Sequence, residues 1–390
     1  MAKTTYRKKI INGKEYYFYR LRHKNLNKPK DLYSPTVKEL DAKIKSVINE
    51  LDNGITNNKE CFETFICDWL FDVHCVNVKP SSKERYEGIF RNYIKDSTIS
   101  SIKLKDLTSK DIQDYYNNLI KKGKTVNSIK SLNKLIAPCI RYAYNNNRII
   151  KDFSRSVVLP KETENKRLNK INTVQPFNLE EQKKFIEAIN GHELEMLFIT
   201  ALNTGLRQGE LLALTWNDID FKNNTIKINK TIKYISDVTK EGRGTAKIEI
   251  QTPKSEASNR TIAIPELLTN KLKKFKVSQK ALKLKMANLY EDNNLVFCNM
   301  FGRYLDSSNI RKRFKKVLSD NDMIDKKFHD LRHTYATRLF ELGEDPKTVQ
   351  SLLGHSNISI TLDTYTHVLD SMKEKAASKL NDLYNSMGVK

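Results

Sequence analysis

Two arginines, a cluster of histidines and one tyrosine in the second half of the chain have the side chains needed to act on a phosphate. Of 69 basic residues only 17 are arginine, so lysine is the default cation. An arginine inside an apolar helical stretch therefore needs a reason. Arg207 lies in NTGLRQGELLALTW, just after a break at Gly205, and Arg332 lies in FHDLRHTYATRLF. A guanidinium offers paired donors that match two phosphate oxygens, which an ammonium does not. Two of them on one phosphate would trap the charge of a phosphoryl-transfer transition state. The structural alternative is two ordinary ion pairs, for instance Arg207 with Glu210 at i+3.

Histidine is rarer still: seven in all, four of them (His329, His333, His355, His367) within 39 residues. His329 and Arg332 share a helical face if their helix starts early enough. An imidazole there could take or give a proton near neutral pH. His333 points another way and reads as a core or supporting residue. His355 follows Leu352-Leu353-Gly354, where glycine lets the backbone turn and presents the ring at a helix end. Tyr365 follows in ITLDTYTHVL. A phenol, with a pKa near 10, needs help to become a nucleophile; two arginines and a base around a phosphate would supply it. Lys254 sits in QTPKSEASNRTIAIP, where a tight connection between strands is expected. With its pKa lowered by neighbouring cations it could protonate a leaving oxygen, although a solvated hairpin lysine is the default for any one of 52.

Other chemistry has no residues to carry it. The chain has no G-x-x-x-x-G-K-[ST], no G-x-G-x-x-G and no H-E-x-x-H, so no nucleotide energy source, cofactor or metal is expected. Asp218 and Asp220 read as turn residues rather than metal ligands.

The elements that must position these residues follow from periodicity. A 390-residue chain with 39% hydrophobic residues exceeds one ordinary domain and has apolar material for real cores. Its net charge of +23 points to a polyanionic partner. No apolar stretch is long enough to span a membrane, and MAKTTYRKKI lacks the apolar core of a signal peptide, so a cytoplasmic protein is expected. The five cysteines form no Cys-x-x-Cys pair and read as reduced core residues.

Residues 1–57 are expected to form one domain, and within it residues 1–30, with ten Lys or Arg and one acid, hold the steepest basic bias in the chain. Asn12-Gly13 predicts a two-residue hairpin turn, with a third strand near Asp31–Tyr33. Thr36 and Glu39 then open a helix that Gly54 closes. A basic appendage with no dedicated target would look the same. Residues 58–159 predict four helices. Phe62, Phe65, Ile66, Trp69, Leu70 and Val73 line the first, and Pro138 is expected to bend the fourth. Residues 160–174 are polar and aperiodic, an expected linker. Residues 175–390 mix helices with TIKIN, IKYIS, AKIEIQT and RTIAIP, which predict one antiparallel sheet. The fold class expected is multidomain: a small β-sheet plus helix, an all-α domain, and a mainly helical α+β domain with a small antiparallel sheet.

Together TGLRQGEL, TPKSEASNRTI, HDLRHTYAT, LLGHSNISIT and DTYTHV resemble the tyrosine recombinase (phage integrase) family over roughly residues 175–385. The layout is similar to integrases of Gram-positive temperate phages and integrative conjugative elements. The resemblance implies that 1–57 bind arm-type DNA sites, 58–159 form a SAM-like core-binding domain, and 175–390 form a catalytic domain ending in an exchange segment. Arg207 and Arg332 would hold the scissile phosphate, and Tyr365 would attack it to give a 3′-phosphotyrosine. Lys254 would be general acid, His329 general base, His355 a hydrogen-bond donor to the phosphate, and Glu210 a supporting acid. Double-stranded DNA, a homo-tetramer on it, a host DNA-bending factor and an excisionase are the partners implied. The competing readings are a regulator with a vestigial site, a type IB topoisomerase-like enzyme and a metal-dependent transposase.

Overall fold

Asn12 and Gly13 both take positive φ (48° and 75°), as a two-residue hairpin turn between right-twisted strands demands. They join β1 (Arg7–Ile11) to β2 (Lys14–Leu21), and β2 pairs antiparallel with β3 (Lys30–Ser34) in the order β1-β2-β3. Helix α1 (Val37–Asp52) starts where Thr36 Oγ1 accepts from the Glu39 amide. It buries Leu40, Ile44, Val47 and Leu51 against Leu21 and Leu32. On β1 to β3, Lys9 lies 5.8 Å from both the Phe18 and Tyr33 ring centroids, and Arg20 lies 5.9 Å from Phe18.

The computed structural model describes residues 6–26, 28–52, 60–162, 175–252, 258–365, 383–384 and 386–387. Gly54, Lys254, most of the expected linker and most of the expected exchange segment lie outside the described residues. The chain divides into two units, Met1–Glu162 with Ser236–Thr245, and Thr163–Ile235 with Ala246–Lys390.

The first unit continues as four helices: α2 (Phe62–Trp69), α3 (Pro80–Tyr93), α4 (Ser109–Lys121) and α5 (Val126–Asn145). Their shared core runs from Phe62 and Ile66 through Tyr116 to Leu132 and Ile140. A reciprocal Thr108/Asp111 capping box opens α4, and α5 runs through Pro138. Val73 departs from its expected buried place and is exposed. The backbone passes into a π-helical turn at Leu70–His74, so the 3.6-residue phase that aligns Phe62 to Leu70 no longer holds. Ser236–Thr245 also belongs to this unit. There Lys240 pairs with Asp68 (2.7 Å) and Asp72, and Arg243 pairs with Glu84.

In the second unit the alternating segments separate into two sheets rather than the one expected. Strands β4 (Ile219–Asp220), β5 (Thr225–Ile228) and β8 (Arg260–Ala263) form an antiparallel sheet in the order β4-β5-β8, with Ile226 opposite Ile262 in the core. Strands β6 (Thr231–Val238) and β7 (Arg243–Gln251) pair apart as a ribbon. Alternation shows which residues share a face, not whether anything covers it: Ile248 and Ile250 on β7 are exposed. Asp218 accepts from Thr215 and pairs with Lys230 at 2.6 Å, and Asp220 accepts from the Lys222 and Asn223 amides. Both act in turns, as expected.

The helices of this unit are α6 (Leu179–Ala188), α7 (Glu195–Thr204), α8 (Gln208–Ala213), α9 (Glu266–Met286), α10 (Ser307–Asp320), α11 (Asp330–Glu341), α12 (Pro346–Leu353) and α13 (Ile358–Thr364). Phe314 is fully buried at the hub of the core, with the rings of Phe177, Phe185, Phe198 and Phe328 between 5.5 and 6.5 Å away. Phe314→Ala should cost about 3–5 kcal/mol of this unit's stability through lost transfer energy and the cavity left behind, read as a lowered urea midpoint.

Candidate active site

The last carbonyls of a helix have no partner inside it. At the end of α12 they are taken by three arginines from three different elements. Arg260 on β8 donates Nε to Leu352 O (2.7 Å), Arg332 on α11 donates Nη2 to Leu353 O (2.7 Å), and Arg207 donates Nη2 to Gly354 O (2.9 Å). Arg332 also donates Nη1 to Gly205 O at 2.7 Å. Gly205 takes the left-handed conformation (φ 60°), and a Cβ there would lie 2.4 Å from the Tyr335 ring, so glycine is what lets this carbonyl approach.

Two of the three cations, Arg207 and Arg260, share one carboxylate. Glu210 accepts from Arg207 Nη1 (2.8 Å), from the amide of Arg207, the N-cap residue of α8, to which it reaches back from the third helical position (3.0 Å), and from Arg260 Nη2 (3.0 Å). Burial pushes the Glu210 carboxyl up, but Arg260 and then Arg207 more than offset this and hold it below its ordinary value. Glu210 thus forms the ion pair that a purely structural reading offered, while Arg207 keeps about a third of its side chain exposed. Arg332 is different: it is 3% exposed, and its hydrogen bonds among the described residues go to carbonyls, not to a carboxylate. Burial, then Arg207, pulls its guanidinium down to about 9. A buried charge so poorly compensated is costly unless an anion arrives to share the space.

The histidines ring this charge. His329 caps α11 in a helical conformation, one turn from Arg332. Burial, then Arg332 and Arg207, pulls it down to about 4. His355 follows the left-handed Gly354 as expected. Its Nδ1 lies 2.9 Å from Thr361 Oγ1, and burial with Arg332 and Arg207 brings it to about 4. His333 has a partner that the sequence did not name: its Nδ1 is 2.9 Å from the Tyr365 hydroxyl, and its ring stands edge-on to His329. Sequence spacing puts it off the Arg332 face, but not off the side where α13 lies.

Tyr365 ends α13 and is 1% exposed. Its ring packs with Phe340 among Ala336, Val349 and Leu353, while its hydroxyl meets His333 at the polar edge of that cluster. Burial pushes the phenol well above its ordinary value, and the positive Arg332 opposes that rise. The structure therefore brings together Arg207, Glu210, His329, Arg332, His355 and Tyr365; Lys254 lies outside the described residues. Sequence reading missed Arg260 and Thr361, and named His333 as a core or supporting residue without its partner. The argument that singled out Arg207 and Arg332, an arginine where lysine is the default, would also have flagged Arg260 in RTIAIP.

Because His329, His333 and His355 resist protonation when folded, the unfolded chain takes up protons first as pH falls below about 6.5. Stability should be insensitive to these groups above pH 6.5 and decline between about 6.5 and 4. Urea midpoints at pH 8, 6 and 4.5 check this, and His355→Gln should flatten part of the slope.

Carbonyl-capped guanidiniums beside a tyrosine are an arrangement chemically able to carry phosphoryl transfer to a phenol. Residues 172–372 match the phage integrase family, and residues 61–120 match the phage integrase N-terminal SAM-like domain. A XerC-like tyrosine recombinase of Caldanaerobacter subterraneus is 40% identical, covering 98% of this chain and 99% of that one. The ICEBs1 integrase of Bacillus subtilis is 26% identical, with 88% and 89% covered. The Tn1549 transposon integrase, solved with transposon right end DNA, superposes with a TM-score of 0.62 at 21% identity, over 80% of this chain and 99% of that one. The chain belongs to the phage integrase family. It is a tyrosine-type site-specific recombinase that cleaves and rejoins DNA to move a genetic element.

Proposed function

We propose that Arg332 and Arg207 bind the scissile phosphate and that Tyr365 attacks it. The observation that carries this assignment is Arg332, a buried guanidinium whose hydrogen-bond partners among the described residues are carbonyls rather than a carboxylate. A phosphate would complete it. As the P–O bond to the 5′ oxygen breaks, the developing charge falls among donors already fixed in place by the α12 carbonyls and Glu210, so little reorganisation is needed. Neutral His329 suits a proton acceptor. If Thr361 donates to His355 Nδ1, the Nε2–H of His355 is left to face the phosphate. Lys254 is the general acid for the departing 5′ hydroxyl. The phosphotyrosine keeps the energy of the broken bond, so a second 5′ hydroxyl can reverse the step without a nucleotide.

Exchange between two duplexes cuts four strands, and each chain supplies one Tyr365, so four copies assemble on the DNA. The basic face of β1–β3, with Lys9 and Arg20 over Phe18, supports arm-site binding by residues 1–57. The helical residues 58–159 and catalytic residues 175–390 then grip the core site, joined by the 160–174 linker, with a C-terminal segment exchanged between copies. We place this assembly on DNA in the bacterial cytoplasm, with a bending factor and an excisionase as accessory partners. No helix among the described residues is long and apolar enough to cross a membrane.

A nicked suicide duplex carrying the element's own core site tests the reading. The wild type should form a denaturation-resistant protein–DNA adduct and join a second duplex, and Tyr365→Phe should form none. An adduct without joining would point to topoisomerase-like chemistry, and no adduct to a regulator. Arg332→Lys should slow adduct formation about 10²–10³-fold, since an ammonium cannot hold two carbonyls and a phosphate together.

A further inference from the structure

The helix that bears the nucleophile is tied down by two imidazoles, and the proposed roles use only His355. We infer that His333 is a positioning residue for Tyr365: its Nδ1 accepts the phenolic hydrogen and fixes the hydroxyl at the edge of the guanidinium cluster. The inference rests on Tyr365 being the nucleophile.

Three observations carry it. The Nδ1-to-Oη separation of 2.9 Å is a full hydrogen bond, made across 32 residues of chain between α11 and the end of α13. The ring of Tyr365 lies in an apolar cluster, where a hydroxyl without a partner would be expensive. His333 also follows Arg332 directly on α11, so one helix fixes the phosphate-binding cation and the partner of the attacking oxygen together.

In this assignment the phenol donates and the bare imidazole nitrogen accepts, which places the ring hydrogen of His333 on Nε2. Burial, with His329 and Arg332 beside it, pulls His333 down to about 3, so the ring stays neutral and keeps accepting across physiological pH. Its role in this assignment is to orient the hydroxyl, and the proton passes to His329. Without the bond, Tyr365, the C-cap residue just past a seven-residue helix, could rotate its hydroxyl away from the reacting phosphorus.

Single-turnover cleavage of the suicide duplex by the full chain tests this. His333→Leu should slow adduct formation about three- to tenfold while leaving the dissociation constant for DNA unchanged. His333→Asn, whose amide oxygen lies near the Nδ1 position, should restore most of the rate. With only seven histidines, the nitrogen-15 histidine spectrum is sparse. His333 Nδ1 should resonate as an unprotonated acceptor and shift in Tyr365→Phe. A His333→Leu protein that cleaves as fast as or faster than wild type, an asparagine variant as slow as leucine, or an Nδ1 signal indifferent to Tyr365→Phe would each overturn the inference. If the wild type formed no adduct, the recombinase assignment of Tyr365 would fall instead, and the spectrum would still decide whether the bond exists.

Discussion

Three guanidiniums converge on three consecutive carbonyls, Leu352, Leu353 and Gly354, at the C-terminal end of one short helix. That convergence is the constraint on which the site depends. It answers two problems at once. The helix end needs donors, and a negative helix terminus favours cations beside it. The arginines need fixed acceptors that do not neutralise them, and carbonyls are such acceptors. The result is a cluster locked in geometry and still short of negative charge.

The rest of the site follows from that imbalance. Glu210 binds Arg207 and Arg260, leaving Arg332 to carbonyls. The same positive field, added to burial, keeps His329, His333 and His355 neutral, so each can accept a hydrogen bond or present a single N–H. The field also opposes the burial that would otherwise make the Tyr365 phenol a still poorer source of phenoxide. Fold and chemistry are coupled because His355 leaves directly from the helix end that the arginines hold.

Local rules made much of this legible in the sequence. Asn12-Gly13 marked its hairpin, Thr36 with Glu39 marked the start of α1, and Gly354 marked the turn before His355. Arg207 and Arg332 stood out because the chain otherwise spends lysine. What stayed hidden depends on contacts between distant segments. Val73 lies in a π turn that no periodicity announces. The division of four alternating segments into two sheets depends on which faces find a cover. The pairing of His333 with Tyr365, and of Thr361 with His355, requires knowing how α11, α12 and α13 meet.

The shortage of negative charge around Arg332 also has a cost outside the reaction. An arrangement that waits for its anion spends folding free energy that a neutral, well-packed replacement would return. Once a copy of the element no longer needs to move, substitutions that discharge the cluster become tolerable and even favourable to folding. Decay should then begin at the arginines rather than in the aromatic core, leaving a sturdier protein that can no longer cut.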